Sequence, residues 1–122
     1  MKVLDPMLVT ALWMVEHGAP ATSLTISLNG IVVSGLLCSR SEWEVENEAF
    51  MDRHPVVSGD REVMPDFYDK TREIEAEHGI ANQFLHLKDA TIIGAFVVKL
   101  TSPWRCRLSS VDGFNFGKIG IQ

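Results

Sequence analysis

The chain has 122 residues, 46% of them apolar and 22% charged, and carries a formal net charge of -5. That length suits one domain, 1–122, with a real core, and the acidic balance is the opposite of the basic stripe that marks a nucleic-acid binder. No apolar run reaches the ~18 residues that cross a bilayer, and the two cysteines, Cys38 and Cys106, form no CxxC pair that would hold zinc or run redox chemistry.

Charge is unevenly distributed. Residues 42–78 hold 12 acidic and 4 basic side chains, whereas the rest of the chain holds 4 acidic and 7 basic ones. An acidic middle therefore lies between mildly basic flanks.

The first element is a helix over 5–17. Asp5 is a good N-cap, Pro6 suits the first helical position and Gly18 the position after the last turn. Leu8, Ala11, Leu12 and Val15 form its apolar stripe. Lys2, the run Met7–Val15 and Ala19-Pro20-Ala21 share the outline of a signal peptide, but Asp5-Pro6 and Glu16-His17-Gly18 fit a capped helix better. The chain reads as cytoplasmic.

A hairpin follows, with strands over 23–28 and 31–39. Leu24, Ile26 and Leu28 alternate with Thr25 and Ser27, and Asn29-Gly30 is the strongest short signal for a tight hairpin turn, since both residues tolerate positive φ. Gly35 inside the return strand marks a bend or bulge.

The acidic segment 41–79 reads as a helical insertion. Ser39/Glu42 and Ser41/Glu44 both have capping-box spacing. Trp43, Val45, Ala49 and Phe50 supply the apolar side of one helix, which His54-Pro55 ends. Ser58-Gly59-Asp60 marks a loop, and a second helix runs from Pro65 to His78. Its inner side is Phe67, Tyr68, Thr71 and Ile74, and Lys70, Arg72, Glu73, Glu75 and Glu77 read as its solvated face. Whether the insertion is a solvated appendage or a partner-facing element stays open.

Strands over 83–93, 104–110 and 113–119 complete the chain. Asp89-Ala90 shifts the phase of the first of these. Trp104, Cys106 and Leu108 alternate with Arg105, Arg107 and Ser109 as in a half-buried strand. Asp112-Gly113 offers a tight turn into the last strand, where Phe114 and Phe116 share a side. Cys38 and Cys106 fall within strands and read as buried, reduced thiols.

The expected fold is α+β: a small, strongly bent five-stranded antiparallel β-barrel of the Sm-like or SH3-like type, with an N-terminal helix and a helical insertion between strands 2 and 3. An exposed last strand, Asn115 to Ile119, would be an aggregation hazard unless paired, so a homo-oligomer is expected.

No catalytic residue, cofactor site or metal-ligand set emerges, and no enzymatic activity is expected. His86, Lys88 and Asp89 lie together, but a general base needs a nucleophile or second acid nearby, and none is identifiable. His86 reads as a half-exposed strand histidine. His17, His54 and His78 share no ligand spacing, and the last two end helices, where a cation suits the dipole. The candidate interface or binding residues are Lys88, Trp104, Arg105, Arg107, Phe114 and Phe116. With Lys99, the basic members form a small patch beside Trp104, suited either to RNA stacking and phosphate contact or to pairing with the acidic middle.

Three segments carry a family likeness: SLTISLNGIVVSGLLCSRSEW, FLHLKDATI and WRCRLSSVDGFNFGKI. They resemble the accessory gas vesicle protein U family. The last matches that family's C-terminal pattern at Trp104, Arg105, Arg107, Val111, Asp112, Gly113, Phe114, Gly117 and Lys118. The resemblance implies a non-enzymatic accessory role in gas vesicle assembly or clustering, with self, the vesicle shell or other accessory proteins as partners. The same strand order resembles Sm-like proteins, whose RNA-binding ring is the alternative. However, the loop by which those proteins hold RNA is replaced here by Ser110-Val111-Asp112-Gly113.

Overall fold

The structure is a computed structural model that describes residues 4–54 and 62–117. Three helices and six strands follow in the order α1 (Pro6–Glu16), β1 (Thr22–Leu28), β2 (Ile31–Leu37), α2 (Arg40–Arg53), α3 (Met64–Glu77), β3 (Phe84–Ile93), β4 (Val97–Lys99), β5 (Trp104–Arg107) and β6 (Gly113–Phe116). The predicted loop at Ser58-Gly59-Asp60 and the end of the last strand, with Lys118 and Ile119, lie outside the described residues.

α1 forms as its caps dictate. The Asp5 carboxylate accepts the Met7 N–H at 2.9 Å, Pro6 occupies the first turn, and Gly18 leaves the helix at φ +99°. Leu8, Leu12 and Val15, spaced for one helical face, are its buried side chains. They meet Leu24, Ile26 and Leu28 of β1, Val33 and Leu37 of β2, and Leu85 and Leu87 of β3 in one core.

All strand pairings are antiparallel, in the order β4-β3-β2-β1-β6, with β5 also on β3. At the β1–β2 hairpin, Asn29 and Gly30 take φ of +49° and +81°, the paired left-handed conformations of a type I′ turn. Ser34 pairs with Thr91 and Leu36 with Lys88, so β3 carries one extra residue opposite Gly35. That residue is accommodated at Asp89, which adopts φ +51°. A Cβ on Gly35 would stand 3.0 Å from the Lys88 carbonyl oxygen, which is why glycine occupies the bend.

The sheet differs from the expected five-stranded closed barrel in two ways. It has six strands, because Val97–Lys99 folds back on Thr91–Ile93. It is also open: β6 pairs with β1, whereas β4 and β5 both pair with β3 at the opposite end. A one-turn 3-10 helix, Leu108–Ser110, carries the chain between those edges, with the Leu108 N–H donating to Gln83 O and the Asp112 N–H to Ser27 O. The crossing is a turn rather than a ladder, so the strand expected over 104–110 stops at Arg107. It also replaces the tight turn expected at Asp112-Gly113. β2 likewise ends at Leu37, two residues before the expected end, because Ser39 becomes the N-cap of α2 and its Oγ accepts the Glu42 N–H at 3.1 Å.

Candidate functional site

The α2–α3 pair lies over the Phe84–His86–Lys88 side of β3, opposite the core-facing Leu85 and Leu87. Few apolar side chains hold it there. Met51 is the buried residue of α2, and Tyr68 and Glu75 are those of α3. Phe67 and Ile74, expected to face inward, are exposed, and so is Val45. Glu75, expected in solvent, is buried, because its carboxylate accepts hydrogen bonds from Arg40 at the start of α2 and from Arg105 on β5. Tyr68 and Glu75 are seven residues apart and share one face. Ion pairing therefore rotates α3 away from the orientation its apolar residues would choose.

The network extends in both directions. Arg40 Nε donates to Glu44 Oε2 at 3.4 Å, and Arg72 of α3 donates to the same oxygen. Lys88 Nζ donates to Glu42 Oε2 at 3.0 Å, and this bond raises the lysine pKa. The Arg105 guanidinium also lies 4.0 Å from the Phe84 ring centre. Its Nε donates to His86 Nε2 at 3.1 Å. An arginine nitrogen can only donate, so His86 accepts through Nε2 and is neutral. Burial, followed by the charges of Arg105 and Arg40, pushes the His86 pKa down to about 3. His86 is thus buried rather than half-exposed, with Trp43 edge-on at 5.8 Å between ring centres.

The ionisable groups of this network are already engaged with one another. The His86 lone pair is occupied by Arg105, and the Glu75 carboxylate is shared between two arginines. Burial raises the Cys38 thiol to about 12 and that of the half-buried Cys106 to about 11, so neither is an activated thiolate. Both are free cysteines. Among the described residues no group of three or more His, Cys, Asp or Glu could hold a metal ion. His17, His54 and His78 stand at the ends of the three helices. Each ring Nδ1 donates to the carbonyl four residues back, at 2.7, 2.8 and 2.9 Å respectively.

The candidate residues do not converge on one patch. Lys88 and Arg105 are bonded to acids of the insertion. Trp104 packs against the core on the other side of the sheet, and Arg107 is exposed near the end of β5. Phe114 packs partly on the core and meets Phe116 edge to face at 5.5 Å. Phe116 is exposed rather than part of a closing wall. No continuous basic stripe for RNA exists among these residues, because the acidic insertion neutralises two of its members.

Besides Trp13, Val45, Phe67 and Ile74 on the helices, exposed apolar side chains lie at the two open edges of the sheet. Beside β6, a groove of about 550 Å³ runs along α1 between Met7, Met14 and Phe116. At the other end, Phe96 at the tip of the β3–β4 hairpin is 82% exposed, followed by the exposed Val97 and Val98. Sequence reasoning missed this second surface. The run Gly94 to Lys99 has no polar–apolar alternation, and such alternation is the signal that identifies a strand.

A family model described as "Gas vesicle protein GvpU-like" matches residues 5–119. The chain belongs to this GvpU-like gas vesicle protein family. The match spans α1, the hairpin, the acidic insertion and all four later strands, well beyond the C-terminal motif. No curated protein and no solved structure matched the chain. Among the described residues of this GvpU-like chain, no helix is long and apolar enough to cross a membrane.

Proposed function

We propose that the chain is a non-enzymatic accessory protein of gas vesicles, acting in their assembly or clustering through self-association and contacts with vesicle proteins. The observation that carries this reading is the family match over residues 5–119. Two features support a role in binding rather than chemistry. The ionisable groups with the strongest shifts, His86 and Cys38, are locked in neutral, buried states. The exposed Phe96, Val97, Val98 and Phe116 lie at open sheet edges, where unpaired backbone groups recruit further strands. The candidate residues Phe114 and Phe116 belong to one of these edges, and Arg107 extends the other.

The test is to express a vesicle gene cluster with and without this chain, counting vesicles and their spacing by electron microscopy. Fewer vesicles, or loss of clustering, is the expected result without it. Floated vesicles should also carry the protein with them. Unchanged vesicle number and spacing, with no protein in the floated fraction, would refute the role.

A further inference from the structure

We infer that copies of this chain join head to tail: the β3–β4 hairpin of one copy seats in the groove between α1 and β6 of the next. This deepens the self-association reading above and rests on it.

The two surfaces are complementary in shape. The sheet has one open edge at β4 and the other at β6, at opposite ends of the strand order. Every residue of β4 is exposed, and Phe96 projects from the turn before it. The groove beside β6 is apolar and, at about 550 Å³, roomy enough for an aromatic ring. Met7, Met14 and Phe116 form its rims, with Ala11 and Pro20 between. A hairpin adding to an open edge gains main-chain hydrogen bonds, and a side chain in a neighbouring pocket fixes the register.

The two surfaces are also complementary in charge. Residues 94–107, which span β4 and β5, carry no acid; Arg105 is already paired with Glu75, and the exposed Lys99 and Arg107 supply the positive charge of this edge. No charged residue lines the groove itself, and among the described residues the flanking positions at the ends of α1 and before β6 are the exposed Asp5, Glu16 and Asp112, with no Lys or Arg on these elements. Pairing like edges would leave one of the two apolar surfaces uncovered. β4 against β4 would give Phe96 no pocket, whereas β6 against β6 would leave both hairpins exposed. The contact is therefore heterologous and builds a ring or an open chain.

The decisive experiment mixes two single-cysteine variants, Val98→Cys and Asn115→Cys, with a short bifunctional maleimide at pH 7. Cys38 is buried and Cys106 half-buried, so the parent chain treated in the same way is the control and should give no cross-link. Cross-linked dimer should form in the mixture and in neither variant alone. A companion variant, Phe96→Asp, should weaken self-association at least tenfold with unchanged circular dichroism. Cross-linking of Asn115→Cys alone would mean symmetric β6 pairing and overturn the inference. So would an unmodified chain that self-associates without any cross-link in the mixture. Both results would leave self-association standing. An unmodified chain that never self-associates would overturn both readings.

Discussion

Glu75 on α3 and Arg105 on β5 are ion-paired across 30 residues of sequence, and the Glu75 side chain keeps only 5% of its surface in solvent. With Arg40 on the other oxygen, this carboxylate ties both helices of the acidic insertion to the sheet. Removing one partner of a buried pair leaves the others desolvated without compensation. Glu75→Gln should therefore lower unfolding stability by about 2 kcal/mol, discounted for the part-exposed arginines. The neighbouring Glu73→Gln, which loses only an exposed bond to Lys70, should change it by less than about 0.5 kcal/mol. Chemical denaturation of the two variants makes the comparison.

The insertion is held by charge more than by apolar burial, so it should loosen in salt. Raising ionic strength from about 0.1 M to about 1 M shortens the screening length from roughly 10 Å to roughly 3 Å. Amide exchange should accelerate in α2 and α3 while β1, β2 and β3 keep their protection. Uniform exchange across helices and sheet would show that the insertion is an integral part of the core.

Acid should act first through His86. Its pKa lies near 6.5 unfolded and about 3 folded, so between these values the unfolded chain binds a proton that the native chain does not. Stability is then fully present above about pH 6.5 and falls by roughly 1.4 kcal/mol per pH unit below it. Between pH 6.5 and pH 5 the loss should be about 2 kcal/mol. His86→Gln, which keeps an acceptor for Arg105 but does not titrate, should flatten that part of the profile in thermal unfolding.

Two glycines should respond differently to substitution. A Cβ at Gly35 meets backbone of β3, with Lys88 O at 3.0 Å and the Ala90 Cα at 3.2 Å, so Gly35→Ala should cost about 1–3 kcal/mol. At Gly113 the nearest atom is Ser27 Oγ at 3.4 Å. Gly113→Ala should therefore stay within about 0.5 kcal/mol of the parent chain. Denaturant midpoints of the two variants test the contrast.

Much of the fold could be read from sequence because its determinants are local. Asp5-Pro6, Asn29-Gly30 and Ser39 with Glu42 each act within a few residues, and they place α1, the hairpin and the start of α2. The bend at Gly35 and the phase shift at Asp89 were visible for the same reason. What was not legible depends on partners far along the chain. Glu75 looks like one more acid on a solvated helix until Arg40 and Arg105 are brought to it. The alternation of Trp104, Cys106 and Leu108 continues through the point where the strand ends, because Leu108 also points into the core from a 3-10 turn. An open sheet and a closed barrel share the same strand signals. Only the crossing at Leu108–Ser110 distinguishes them.

Molecular mass in solution tests the central claim, binding through self-association, most directly. Multi-angle light scattering over a range of concentrations should give a mass above the 13.6 kDa of one chain and rising with concentration. A constant mass of one chain at every concentration would contradict the account.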